Sequence, residues 1–112
     1  MKVIIAGSRD IISVEPVYSA IKKAEKQGIV ITEVVSGGAR GVDTLGAMWA
    51  ELKGYDIKEF PVTEEDWKTL GKGAGPLRNK KMAEYADALI AVWDGRSPGT
   101  KSMIEYMTKL KK

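Results

Sequence analysis

Four short segments of the chain combine glycine with arginine, hydroxyl or carboxylate side chains, a set of types suited to holding negative charge. They are Gly7-Ser8-Arg9-Asp10, Ser36-Gly37-Gly38-Ala39-Arg40-Gly41-Val42-Asp43, Gly75-Pro76-Leu77-Arg78-Asn79 and Trp93-Asp94-Gly95-Arg96-Ser97-Pro98-Gly99-Thr100. Glycine lets a ligand come close to the backbone. A guanidinium offers a two-pronged cation to phosphate. The N–H groups at a helix start carry partial positive charge and bind anions.

Each segment also has a plainer reading. Gly7 to Asp10 is equally a turn with a surface arginine. Gly38-x-x-Gly41 approximates a phosphate loop but is neither a Walker loop nor a full dinucleotide fingerprint. Asp43 is either a helix cap or a partner for a ribose hydroxyl. Arg78 and Asn79 fall in the first turn of a helix, where the dipole opposes a cation. Arg78 is therefore read as serving an anion, and its loss is expected to weaken binding more than melting. Gly99 and the Thr100 hydroxyl suit a phosphate at the last helix start. Asp94 suits a ribose hydroxyl or a carboxylate base. Trp93 suits a stacked base, although an apolar tryptophan at a strand end more commonly packs in a core.

Alternating strands and helices must position these segments. Lys2 to Ala6 is a short β-branched run ended by Gly7, the pattern of a strand buried on both faces. A helix starts at Val14, with Ser13 as its cap, Pro16 in its first turn and Gly28 beyond its end. Val17, Tyr18, Ile21 and Ala24 form its inner stripe. A second strand lies within Ile29 to Ser36, centred on Thr32 to Val35. A second helix covers Gly41 to Lys53, with Val42, Leu45, Met48, Trp49 and Leu52 inward, and Gly54 closes it. A third strand covers Asp56 to Phe60. The connection from Val62 to Gly75 is long for so small a domain. Pro76 opens a third helix, with Leu77, Met82 and Ala86 inward. A fourth strand spans Ala88 to Trp93. Met103, Ile104, Met107 and Leu110 line the last helix. This order predicts a parallel sheet with right-handed crossovers. Strand order 3-2-1-4 follows by analogy with dinucleotide-binding half-folds, which place all four strand-to-helix loops at one edge. The expected fold is a Rossmann-like three-layer α/β sandwich, four parallel strands with helices on both faces, in one domain spanning residues 1–112.

Composition narrows the chemistry. The chain has 112 residues, 44% of them hydrophobic and 29% charged, an ordinary balance for a soluble domain. It has neither cysteine nor histidine, which removes disulfides, thiolate chemistry, the commonest general base and the commonest metal ligand. No metal and no cofactor are expected. No apolar run approaches the roughly 20 residues of a membrane span, and the N-terminus lacks a cleavage pattern, so a cytoplasmic protein is expected. A net charge of +3 is slight, and Lys22, Lys23, Lys26, Lys109, Lys111 and Lys112 read as solvated helix faces. A nucleic-acid partner is not expected.

Taken together in order, the four motifs resemble the SLOG superfamily, which unites Smf/DprA proteins with the LOG nucleotide phosphoribohydrolases. The nearest branch in pattern is the small YspA-like proteins, many of them bacterial or phage-encoded. The resemblance implies a Rossmann-like domain that binds nucleotides or their derivatives, and a homodimer. It implies ligand contacts at Gly7, Ser8, Arg9, Ser36, Gly37, Gly38, Arg40, Gly41, Asp43, Arg78, Asn79, Asp94, Gly99 and Thr100. The LOG motif ends Gly-Gly-x-Gly-Thr-x-x-Glu. Here the first glycines are replaced and Met103 stands at the glutamate position, so Gly99 and Thr100 carry over and the hydrolytic carboxylate does not. Glu105 falls on a different side of the helix. The expected function is a sensor or binding module for a nucleotide-derived ligand. The alternative is a nucleoside-phosphate N-glycosidase that uses Asp94 or Asp43 to stabilise an oxocarbenium-like transition state. A single-stranded DNA binder, as the Smf/DprA relatives suggest, ranks below both.

Overall fold

The computed structural model describes residues 1–8, 10–38, 41–60, 68–69, 71–93, 95 and 98–111. Its strands are β1 (Lys2–Gly7), β2 (Glu33–Ser36), β3 (Asp56–Glu59) and β4 (Ala88–Val92). Its helices are α1 (Val14–Lys26), α2 (Val42–Lys53), α3 (Ala74–Tyr85) and α4 (Pro98–Lys109), with one 3-10 turn at Gly71–Gly73. The sheet is parallel throughout, in the order β3-β2-β1-β4. Lys2 lies opposite Glu33, Glu33 opposite Asp56, and Val3 opposite Ala88.

Strand alternation explains the three layers. In β1, Val3 and Ile5 face one side and Ile4 and Ala6 the other. The first pair joins Val17 and Ile21 of α1 and Val42, Leu45, Trp49 and Ala50 of α2 in one apolar layer. The second pair joins Val35 with Met82, Ala83 and Ala86 of α3 and Met103 and Met107 of α4. Val3, Ile4 and Ile5 are fully buried, each contributing on the order of 1.5–3 kcal/mol of hydrophobic stabilisation.

The chain reverses its build direction between β1 and β4. The first three strands grow one way with α1 and α2 on one face, and β4 is laid on the other side of β1. The carboxyl ends of β1 and β4 therefore mark the switch point, where such sheets bind ligands.

Several expected core positions stand outside the core. Met48 and Leu52 lie on the solvent side of α2, and Leu77 and Leu110 are also exposed. The core faces of α2 and α4 are narrower than the apolar stripes of the sequence, because each helix touches the sheet along one seam. Ser13 occupies the N-cap of α1 but its side chain makes no capping hydrogen bond. Gly54 ends α2 in the left-handed conformation, as its position implies. Trp93, expected to pack in the core, is 39% exposed. No helix among the described residues is long and apolar enough to cross a membrane.

Candidate functional site

The ends of all four strands are laced together at the carboxyl edge. The Ser8 N–H, just past β1, donates to the Val92 carbonyl of β4 at 3.1 Å. The Ser8 carbonyl accepts from Ile11 N–H at 3.3 Å and from Val42 N–H at 3.4 Å. One of the unpaired amides at the start of α2 is thus satisfied by the first loop and not left for a ligand. Phe60 N–H, just past β3, donates to the Ser36 carbonyl at 2.9 Å.

The second loop is folded around its own serine. Ser36 Oγ accepts from Gly38 N–H at 3.2 Å and donates to the Asp43 carbonyl at 3.4 Å. Gly38 and Gly41 have φ of 74° and 75°, a region that side-chain-bearing residues rarely enter. The glycine richness of this loop therefore serves the turn itself, whatever else it serves.

Arg78 and Asn79 tie the third helix to three neighbours. Arg78 Nη1 donates to the Gly37 carbonyl at 2.6 Å and to the Phe60 carbonyl at 3.3 Å, and its Nε donates to Asn79 Oδ1 at 3.0 Å. Asn79 Nδ2 donates to the Gly99 carbonyl at 3.2 Å, in the first turn of α4. A Cβ built on Gly37 would stand 2.8 Å from Arg78 Nη1 and 2.9 Å from Asp43 Oδ2. The guanidinium and the Asp43 carboxylate thus lie against the same face of Gly37. Arg78, read from the sequence as serving an anion, thus also braces Gly37, Phe60 and Asn79 within the fold. Phe60 was not singled out from the sequence as part of this edge. Its place at the end of strand 3, just before Pro61, was the available signal.

Among the described residues, the buried polar side chains are Ser8, Ser36, Asp43, Asn79 and Thr100. All five stand at this one edge, and all five are among the expected ligand contacts. No buried side-chain nitrogen or oxygen among the described residues lacks a hydrogen-bond partner, so the edge is a satisfied polar network under a hydrophobic sheet.

The expected glycines fall into two groups. Gly7 has no room for a side chain, because its Cβ would meet the Val92 carbonyl and the Val42 side chain. Gly99 differs, with open space among the described residues and no left-handed φ. Arg9, Arg40, Arg96 and Asp94 lie outside the described residues, so Arg78 is the one arginine of the four that is placed. No cluster of three or more metal-ligating side chains occurs among the described residues.

The position of Met103 also has a structural meaning. It is 2% exposed and packs with Ile4, Ala6, Val35 and Met82. The methionine that the resemblance aligns with the LOG glutamate is a core residue.

The model of the YspA, cpYpsA-related SLOG family matches residues 1–69. The chain is also similar to the Gene 61 protein of Mycobacterium phage D29, at 38% identity, over 96% of this chain and 89% of that protein. No solved structure matches. With the parallel 3-2-1-4 sheet and its glycine-rich edge in view, the chain belongs to the YspA, cpYpsA-related SLOG family.

Proposed function

We propose that the carboxyl edge of the sheet binds a nucleotide or nucleotide-derived molecule and that the chain works as a sensor or binding module. One observation carries this reading: the five buried polar side chains gather at the switch-point edge and nowhere else among the described residues. Burying polar groups costs stability unless they are paired. Their concentration at one edge of an otherwise apolar sandwich supports reading that edge as a place kept polar for a ligand. Gly99 and Thr100 at the start of α4 would meet the phosphate. Asp43 would contact ribose, alongside Asp94 from the fourth loop, and Arg9 and Arg40 would add positive charge.

The competing reading is an N-glycosidase in which Asp43, buried beside Arg78, acts as the carboxylate. Met103 in the core supplies no carboxylate at the position where LOG enzymes carry one, which favours binding over hydrolysis. A thermal-shift screen over nucleoside mono-, di- and triphosphates tests the main reading. A ligand at 100 times its Kd stabilises the folded state by about 2.7 kcal/mol. A nucleotide that raises the melting temperature and is recovered intact supports the binding module. Release of free base moves the assignment to the glycosidase. No shift with any nucleotide sinks both.

A further inference from the structure

Two hydrogen bonds fix the Asn79 side chain at the carboxyl edge. Its Oδ1 accepts from Arg78 Nε at 3.0 Å, and its Nδ2 donates to the Gly99 carbonyl at 3.2 Å. The residue is 7% exposed, so little of this amide is left to meet a ligand. Arg78 Nη1 in turn donates to the Gly37 carbonyl. A chain of hydrogen bonds therefore runs from the second loop, across α3, to the first turn of α4. A guanidinium only donates, so the Asn79 oxygen must face Arg78 and its nitrogen must face Gly99.

What Asn79 controls is the start of α4. Pro98 opens that helix and has no N–H, so its leading amides belong to Gly99 and Thr100. The Gly99 carbonyl and the Thr100 N–H share one trans peptide and point in opposite directions. Drawing the carbonyl toward α3 therefore turns the N–H away from it. Glycine is a poor helix former, and at position 99 neither a left-handed φ nor a close neighbour among the described residues calls for it. A glycine there leaves the backbone open to close approach.

We infer that Asn79 is a positioning residue: it holds the Gly99 carbonyl and so aims the leading amides of α4 at the phosphate of the bound molecule, without touching that molecule itself. This rests on the reading of the edge as a nucleotide-binding site. Asn79 acts on the ligand only through the Gly99–Thr100 peptide, and Arg78 acts on Asn79 by fixing which end of its amide faces that peptide.

The test measures binding of the four ribonucleoside 5′-monophosphates by calorimetry on wild type, Asn79→Asp, Asn79→Ala and Gly99→Ala, and follows the Thr100 amide resonance of each ligand-free protein by NMR. Asn79→Asp keeps the acceptor for Arg78 and loses only the donor to Gly99. Asn79→Ala loses both and adds no charge. Both should bind the best monophosphate about tenfold more weakly, the scale of one hydrogen bond to a charged group. Both should also shift the ligand-free Thr100 amide. Asn79→Asp should do this while melting close to wild type, a separation that a purely structural role would not give. If affinity falls only in step with melting temperature, Asn79 serves the fold alone and the inference is overturned. Affinity lost with the Thr100 amide unmoved makes Asn79 a direct ligand contact and overturns it too. So does a loss confined to Asn79→Asp, since the added charge is then the cause. Gly99→Ala tests the underlying reading, and it should bind weakly while melting no lower than wild type. If Gly99→Ala binds like wild type, or no monophosphate binds wild type, the phosphate leaves the start of α4 and the inference goes with it. Weak binding by Gly99→Ala beside full binding by both Asn79 variants leaves that reading standing and overturns the role of Asn79 alone.

Discussion

Arg78 and Asp43 meet over Gly37: Arg78 Nη1 and Asp43 Oδ2 both lie within 3 Å of where a Gly37 side chain would begin. A cation from α3 and an anion from α2 share the space that glycine leaves. Replacing Gly37 with alanine puts a methyl group into that space and pushes both charged groups away. The backbone of Gly37 has no left-handed φ, so the cost is one of packing alone. Overfilling a packed site costs about 1–3 kcal/mol. Urea unfolding of Gly37→Ala should show a loss in that range, and an unchanged midpoint would show that the two side chains yield freely.

Arg78 itself holds together three parts of the edge. Its removal leaves the Gly37 and Phe60 carbonyls without this donor and frees Asn79 Oδ1. Hydrogen bonds to charged groups contribute about 1.5–3 kcal/mol each, with part of that screened here because Arg78 is half-buried. Arg78→Ala should therefore lose roughly 2–4 kcal/mol, read as a fall in melting temperature of the order of 10 °C for a domain of this size. Arg78→Lys should rescue little, since one ammonium cannot span the Gly37 carbonyl and Asn79 Oδ1 as the planar fork does. Full rescue by lysine would show that charge, not geometry, is what counts.

Much of this architecture is legible in the sequence, and the limits have physical causes. The β-branched run Val3-Ile4-Ile5 and the glycine that follows it specify a central parallel strand. The heptad-like spacing of Val17 and Ile21 specifies a helix face. Of the five polar residues that prove buried, Ser8, Ser36, Asp43 and Thr100 lie where a strand gives way to a helix, whereas Asn79, expected in the first turn of a helix opened by Pro76, sits in the second turn of α3, which starts at Ala74. What the sequence does not reveal is partnership across the fold. The reach of Arg78 to Gly37 spans 41 residues and depends on how α3 crosses the sheet. The same holds for Gly7, whose need for glycine comes from the Val92 carbonyl and the Val42 side chain. Apolar periodicity also overstated the buried faces, as Met48 and Leu52 show, because a hydrophobic stripe does not say how wide the facing sheet is.

Met103 gives a direct test of the position that the resemblance aligns with the glutamate of the LOG motif. Met103→Glu places a carboxyl group in the layer formed by Ile4, Ala6, Val35 and Met82. An unpaired buried charge is among the most damaging of substitutions, and the group is expected to stay neutral or to unfold its surroundings. The expected loss is at least about 3 kcal/mol, against less than about 1.5 kcal/mol for Met103→Leu. Assay of Met103→Glu with nucleoside monophosphates should show no release of free base. A stable, hydrolytic Met103→Glu would mean that the first turns of α4 can rotate this position toward the edge.

At the opposite edge of the sheet, the Tyr85 hydroxyl donates to a Glu33 carboxylate oxygen, and Lys2 Nζ sits 4.3 Å from the centre of the Tyr85 ring. The hydrogen bond to Glu33, then desolvation, then the negative charge of Glu33 raise the phenol above its ordinary value of 10.0. The folded chain thus holds this proton more tightly than the unfolded chain. The resulting stabilisation is complete below the unfolded value and disappears as pH rises through the raised folded value. Lysines titrate in the same alkaline range, so the difference between wild type and Tyr85→Phe isolates the hydroxyl, with the ring and its Lys2 contact retained. Urea midpoints should differ by a constant amount at pH values well below the ordinary phenol value and converge as pH rises past it. A difference that stays constant across the whole range would show that the Tyr85 proton is not coupled to folding.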